Sequence, residues 1–276
     1  MKQYLDLVQH VLTHGVRKGD PQGVGNIAVF GYQMRFNLQE GFPLITTRSL
    51  KGSWKALVHE LLWFLSGSSN VDDLNKHGVH LWDQWATPDI CRQLGLPIGD
   101  LGPIYGPQWR SWRTRDGGVI DQIAGVIAEI RQFPDSRRLV VSAWNPEDAN
   151  RVFVAPCHCL FKFFVADGKI SLHLFQRSAD VIIGIPFNIA SYSLLLHMVG
   201  QVTGYKPYEF VHTLSDTHIY LDQIPFAEEQ MKREPRALPQ VLLNPDIRDI
   251  NKFAFDDFTL LDYDPLPAIR GIPVAL

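Results

Sequence analysis

Cys157 and Arg177 have the residue types and the spacing for covalent chemistry. They sit in Val154-Ala155-Pro156-Cys157-His158-Cys159 and in Gln176-Arg177-Ser178-Ala179-Asp180. A cysteine attacks as its thiolate, and a fixed cation nearby favours that form. Between the two segments, Phe161 to Phe175 forms two apolar runs broken by Ala166-Asp167-Gly168-Lys169. Asp-Gly between alternating apolar runs is a strong hairpin signal. A hairpin there puts Cys157 and Arg177 on neighbouring strands near its open end, with a guanidinium beside a thiol. The same cysteine also fits a small core residue, because free cysteines are among the most buried side chains. Cys157-His158-Cys159 lacks the second ligand pair that structural zinc normally needs, which argues against a metal site. Side chains at i and i+2 of a strand share a face, so Cys157 and Cys159 are predicted to look one way and His158 the other.

Glu60 is the next candidate. Its neighbours one helical turn away are Ala56, Leu57, Trp63 and Phe64. A carboxylate on such a face is desolvated, which raises its pKa and suits proton transfer near neutrality; a structural, hydrogen-bonded glutamate is the alternative. Asp135-Ser136-Arg137-Arg138 carries adjacent arginines that, with Arg177 and Ser178, fit a phosphate, although a solvated basic turn would look the same. Trp82, Trp85, Trp109 and Trp112 fall on expected loops, where they would stack a planar heterocycle or simply close the core. Asn188, in the opening turn of a helix begun by Gly184-Ile185-Pro186, offers a donor and an acceptor suited to the O4/N3 edge of a uracil, or else a helix cap.

These side chains need elements to hold them. Leu5, Val8, Val11 and Leu12 predict a helix ending near Gly15, and Ile27 to Asn37 a strand. Trp54 through Leu65 repeats at helical spacing and is stopped by Gly67. Ile120 through Ile130 repeats likewise, with Pro134 just beyond. Leu139 to Trp144, Tyr208 to Thr213 and Gln240 to Leu243 read as strands, and Ile224 to Arg233 as a surface helix. Phe187 to Val202 is apolar nearly all round, the mark of a buried central helix. Without a strict βαβ rhythm, the fold class is α+β, a large antiparallel or mixed sheet with flanking helices. With no internal repeat, low-complexity tract or linker, residues 1–276 are read as one domain.

The chain has 276 residues, 46% of them hydrophobic and 20% charged, with a formal net charge of −3. That composition supports a sizeable core and gives no general attraction to nucleic acid or anionic membranes. Three cysteines, one isolated at Cys91, make no disulfide framework and fit a reducing compartment. The absence of a signal region at Met1-Lys2-Gln3-Tyr4 and of a membrane-spanning apolar run leads to the expectation of a cytoplasmic protein.

Taken together the motifs resemble the folate-dependent, non-flavin thymidylate synthase family nearly end to end. The matching segments are Phe30-Gly31-Tyr32-Gln33-Met34-Arg35-Phe36, Glu60-Leu61-Leu62-Trp63-Phe64-Leu65, Gly99 to Gly106, Asp135-Ser136-Arg137-Arg138, Ala155-Pro156-Cys157-His158, Gln176 to Asp180, Pro186-Phe187-Asn188 and Asp216-Thr217-His218-Ile219-Tyr220. The resemblance implies methylation of deoxyuridylate (dUMP) at C5 by 5,10-methylenetetrahydrofolate, giving thymidylate and dihydrofolate, with no metal. It implies that Cys157 adds to C6, that Tyr105 helps remove the C5 proton, and that Glu60 runs a proton-transfer water network. Arg177 and Ser178 would bind phosphate, Gln176 and Asp180 would line the nucleotide, Asn188 would read the uracil edge, and His218 and Tyr220 would hold the sugar 3′-hydroxyl. Trp82, Asp180 and Ala275 would contact folate, the last from a closing tail, Pro273-Val274-Ala275-Leu276. The family is a homodimer in which Arg137 and Arg138 reach the partner's site.

Four departures accompany the match. Asp20-Pro21-Gln22-Gly23 lacks the family's phosphate-binding arginine at position 21, for which Arg17 or Lys18 offers compensation. Ser215 replaces a glycine, Asp222-Gln223 replaces the usual Asn-His, and Arg48 to Lys55 is slightly long. The alternatives are a pyrimidine nucleotide hydroxymethylase, a synthase for another uridine nucleotide, and a non-catalytic nucleotide- or RNA-binding paralogue. Asn188 and Trp82 favour uracil methylation, and the retained Cys157 and Glu60 disfavour the paralogue.

Overall fold

The computed structural model describes residues 1–20 and 22–275. Pro21 and Leu276, on which two of the sequence readings fall, lie outside them. Its helices are α1 (Lys2–His14), α2 (Trp54–Ser66), α3 (Asp72–Asn75), α4 (Pro88–Leu94), α5 (Tyr105–Arg110), α6 (Gln122–Gln132), α7 (Gly184–Thr203) and α8 (Ile224–Met231). Its strands are β1 (Val16–Lys18), β2 (Asn26–Asn37), β3 (Trp112–Arg113), β4 (Val119–Ile120), β5 (Val140–Ser142), β6 (His158–Ala166), β7 (Lys169–Asp180), β8 (Lys206–Tyr220), β9 (Gln240–Leu243) and β10 (Phe258–Leu261). Six strands make one mixed sheet in the order β1-β2-β8-β7-β6-β5, so the fold is α+β. No helix among the described residues is long and apolar enough to cross a membrane.

The hairpin forms where the sequence places it. Asp167 and Gly168, at φ 50° and 68°, are the two central residues of a tight turn between Ala166 and Lys169, which pair. Positive φ at both positions matches the right-handed twist of the flanking strands. From that turn β7 runs back to the Gln176–Asp180 motif. It then pairs in parallel with β8, the one parallel contact in the sheet. A parallel partner needs a crossover, and α7 supplies it. Ile185, Ile189, Leu194, Leu195, Leu196 and Met198 are all inaccessible to solvent on that helix, which therefore forms the centre of the core as its all-round apolarity predicts.

Two close approaches bring the other elements in. Gly67, at φ 81°, ends α2 as its left-handed cap, its N–H donating to Phe64 O. A Cβ at Gly106 would lie 2.6 Å from Ser68 O, so only glycine lets α5 sit this close to the end of α2. Tyr105 opens α5 and is thereby carried against Phe64, with ring centroids 4.8 Å apart.

The structure corrects several boundaries. Ile120 belongs to β4, because Asp121 caps α6 by accepting from Ala124 N. The strand read over Tyr208 to Thr213 extends from Lys206 to Tyr220, so His218 and Tyr220 project from a strand. The helix α8 has a buried side formed by Ala227 and Gln230. Trp109 lies in α5, fully buried, and closes the core. The predicted alternation at Cys157-His158-Cys159 also fails. Cys157 precedes β6, and the register shifts between His158 and Leu160, so the two-residue period is broken there. The His158 ring turns inward, 5.0 Å from Tyr105 and 5.2 Å from Tyr192.

Candidate active site

Three chemistry-bearing segments meet at one end of the sheet because of its register. His158 pairs with Gln176, and Cys157 O accepts from Arg177 N at 2.9 Å. One strand further on, Ser178 lies beside Asp216 and Asp180 beside His218. The hairpin thus joins the first two segments and the parallel pairing adds the third.

Arg177 is beside Cys157 as expected, and it is held there by the loop that carries Cys157. Its Nε donates to Pro156 O at 3.0 Å and one Nη to Ala155 O at 2.7 Å, while the guanidinium lies over Trp144 at 5.3 Å. The electrostatic outcome differs from the sequence expectation. Burial pushes the Cys157 thiol up, and the opposing pull of Arg177 and Tyr105 does not overcome it. Taking a thiolate out of water costs more here than one partly engaged cation returns. Cys157 is therefore a thiol in the unliganded protein.

Glu60 behaves as its helix face predicts. Burial raises its carboxyl to about 7, opposed by a hydrogen bond from Trp82 Nε1 to Oε1 at 2.7 Å. Trp82 also packs against Tyr105, with ring centroids 6.2 Å apart. The Tyr105 hydroxyl accepts from Cys157 N at 2.8 Å. An aromatic chain thus connects the carboxylate side of the cleft to the thiol side. His158 continues it and was not singled out from the sequence. Burial holds its pKa down at about 4, so it is a neutral imidazole. The Nδ1 of His158 and the Tyr192 hydroxyl are buried with no partner among the described residues.

Behind the thiol runs a chain of amides. Gln176 Nε2 donates to Ser178 O at 2.9 Å and to Asn188 Oδ1 at 3.1 Å, while Gln176 Oε1 meets His212 Nε2 at 2.8 Å. With both its N–H groups donated, Gln176 must accept from His212, which burial keeps neutral. Asn188 therefore has its oxygen engaged and two N–H donors left. No side chain caps α7, so the cap reading of Asn188 fails. His212 is a further site residue that lacked any local signal.

On β8, Asp216 Oδ1 meets His218 Nδ1 at 3.0 Å and Oδ2 is paired with Lys18 Nζ. Partial burial pushes the Asp216 carboxyl up, but the bonds from Lys18 and His218 bring it below its ordinary value. Asp216 Oδ1 orients the His218 ring through its Nδ1. The ring of Tyr220 stands edge-on to His218 at 5.0 Å. Lys18 is thus committed to Asp216, which leaves Arg17, exposed on β1 and without an ion-pair partner among the described residues, as the available cation there.

The residues that the resemblance assigns to folate converge as well. Asp180 Oδ1 accepts from Ile182 N and Ile183 N at 2.9 and 3.0 Å. Its Oδ2 lies 3.4 Å from Gln223 Nε2, which also donates to Pro273 O at 3.0 Å. The tail residue Ala275 is partly buried two positions further on. Arg137 and Arg138, by contrast, are exposed before the edge strand β5, and neither has an ion-pair partner among the described residues. One chain alone does not bring them to Cys157. Among the described residues no group of three or more His, Cys, Asp or Glu side chains is arranged to hold a metal ion.

A thiol beside a guanidinium, a neutral-range carboxyl and an amide chain with free donors form a site for adding sulfur to an electron-poor planar ring and moving protons around it. The family model described as thymidylate synthase covers residues 2–275, and the chain belongs to that family.

Proposed function

We propose that this protein converts deoxyuridylate and 5,10-methylenetetrahydrofolate into thymidylate and dihydrofolate. The observation that carries the reading is the cluster at the sheet end, with the Cys157 thiol against Arg177 and Tyr105 and Glu60 poised near neutrality. Arg177 and Ser178 bind the phosphate. Cys157 passes its proton to water, the anion being favoured by Arg177 beside it, and its sulfur adds to C6 of the uracil. The C5=C6 electron pair moves toward C5 and O4, making C5 the carbon nucleophile. The free N–H groups of Asn188 match a C4 carbonyl, which accepts; a C4 amino group would not. Glu60, half ionised near pH 7, donates and recovers protons at O4 through water, and Tyr105 orients the water that takes the C5 proton. The His218 ring, oriented by Asp216, bonds the sugar 3′-hydroxyl, with Tyr220 beside it. The folate is the second substrate, supplying the one-carbon unit and the hydride that completes the methyl group. Expulsion of Cys157 from C6 then frees the product. Asp180, the Trp82 ring and the tail at Ala275 offer a carboxylate, an aromatic edge and a cover. That set suits a planar heterocycle bearing N–H groups.

The acting form in this reading is a homodimer. Phe30 is 89% exposed and Phe164 65% exposed, too much apolar surface for a sheet left bare. Beside Phe164 a depression of about 550 Å³ is lined by Arg35, Lys162, His173 and Tyr208. A second copy packed on this face would cover the apolar residues and bring Arg137 and Arg138 to the partner's phosphate.

The test is to incubate the purified protein with deoxyuridylate and methylenetetrahydrofolate and weigh both products. Thymidylate with dihydrofolate supports the synthase. Hydroxymethyldeoxyuridylate with tetrahydrofolate makes it a hydroxymethylase, and reaction with a different uridine nucleotide only would mean that the altered loop and Ser215 changed the substrate.

A further inference from the structure

Gln223 occupies one of the positions where the family resemblance lapses, and its environment is unusual. The residue is wholly inaccessible to solvent at the turn between β8 and α8. Its two N–H groups point to different parts of the molecule, one to Pro273 O at 3.0 Å and the other to Asp180 Oδ2 at 3.4 Å. Its Oε1 is buried with no partner among the described residues. A buried amide oxygen without a partner costs stability, so the side chain is held by its donors. The segment that carries it is itself anchored, since Leu221 N donates to Gly25 O at 3.0 Å. Both oxygens of Asp180 are consequently engaged, Oδ1 by Ile182 N and Ile183 N and Oδ2 by Gln223.

We propose that Gln223 is a positioning residue that couples the carboxyl-terminal tail to Asp180, so that folate binding and closure of the tail are linked through one side-chain amide. The inference rests on the folate reading of Asp180 given above. A ligand that draws Asp180 into a fixed orientation fixes the Gln223 amide, and the amide holds Pro273 and with it the tail as far as Ala275. By reciprocity, a tail held in place presents Asp180 already oriented. A glutamine serves here because a single nitrogen donates twice, and a side chain with no donor would leave both acceptors unlinked.

The test uses the full chain and Gln223→Met, which keeps the length and removes both donors. Digestion of the unliganded proteins with a carboxypeptidase should release tail residues about tenfold faster from Gln223→Met. In turnover, the KM for methylenetetrahydrofolate should rise about tenfold while the affinity for deoxyuridylate alone stays within twofold. Gln223→His, which retains an N–H, should recover part of both effects. Equal digestion and an unchanged folate KM, in a variant that melts with the wild type, would overturn the coupling. Should Gln223→Met not fold, the wild-type side-chain amide decides by NMR. Slow solvent exchange of the Gln223 amide protons upholds the link, and exchange as fast as that of an exposed glutamine refutes it. A wild-type chain that fails to methylate deoxyuridylate overturns the reaction assigned here, and the digestion then still decides the link by itself.

Discussion

The Tyr105 hydroxyl accepts the backbone N–H of Cys157 at 2.8 Å, so the tyrosine holds the main chain of the proposed nucleophile. Burial drives the Tyr105 pKa far up, which keeps the phenol neutral and its own proton available to water. This one bond links α5, which the glycine contact at Gly106 seats against the end of α2, to the loop before β6.

Tyr105→Phe should therefore leave a buried N–H without an acceptor. The expected cost is about 1–2 kcal/mol of stability, together with a loss of turnover larger than the loss of deoxyuridylate affinity. Chemical denaturation and steady-state kinetics check the two parts separately. A variant equal to wild type in kcat would exclude Tyr105 from the chemistry.

Glu60→Gln tests the raised carboxyl. The folded protein holds this proton more tightly than the unfolded chain does, so the stability it contributes is full below about 4.5 and gone above about 7. The wild type should thus lose stability relative to Glu60→Gln across that window, on the order of 2–3 kcal/mol. Melting temperatures of the two proteins at pH 5 and pH 8 measure it. The alkaline limb of kcat/KM against pH, falling through a midpoint near 7 as the proton donor is lost, should disappear in the variant along with most of the activity.

Lys18→Met removes the outer partner of the Asp216–His218 pair. The prediction is a three- to tenfold fall in kcat/KM for deoxyuridylate, carried by looser handling of the sugar. Compared with its 3′-deoxy analogue, deoxyuridylate should lose most of its advantage in the variant. If instead the variant mainly weakens binding of inorganic phosphate, Lys18 serves the phosphate and the sugar assignment fails.

Cys157→Ala should abolish turnover and still bind deoxyuridylate, because the other contacts to the nucleotide remain. Mixed with Arg138→Ala chains under conditions that exchange subunits, it should restore part of the activity. The heterodimer would carry one site with an intact thiol and a partner arginine that is still present. No recovery from a mixture shown to exchange would refute a site shared between chains.

The local signals were legible where physics acts over a few residues. Asp167-Gly168 suits a two-residue turn with positive φ at both positions, and that turn set Arg177 beside Cys157. The helical spacing of α2 put Glu60 among apolar neighbours and so foretold a raised carboxyl. Short readings failed where context overrode pattern. The strand β8 runs on to Tyr220 because β2 and β7 flank it on both sides, which no property of residues 214–220 announces. The bulge at Cys159 likewise depends on its neighbours, since Ala143 and Trp144 both donate to its carbonyl.

The sequence by itself determined the residue types, their order and the hairpin and helix periods that hold them, and through the family match, the class of the protein. The tertiary structure decided which of those groups are spoken for. Lys18 meets Asp216 across 198 positions, Gln223 reaches Pro273 across 50, and Glu60 takes its hydrogen bond from Trp82 across 22. It also decided that the Cys157 thiol rests protonated, because desolvation depends on everything packed around the sulfur while the arginine is only one neighbour. Such pairings are set by sheet register and by burial, and both are sums over distant parts of the chain.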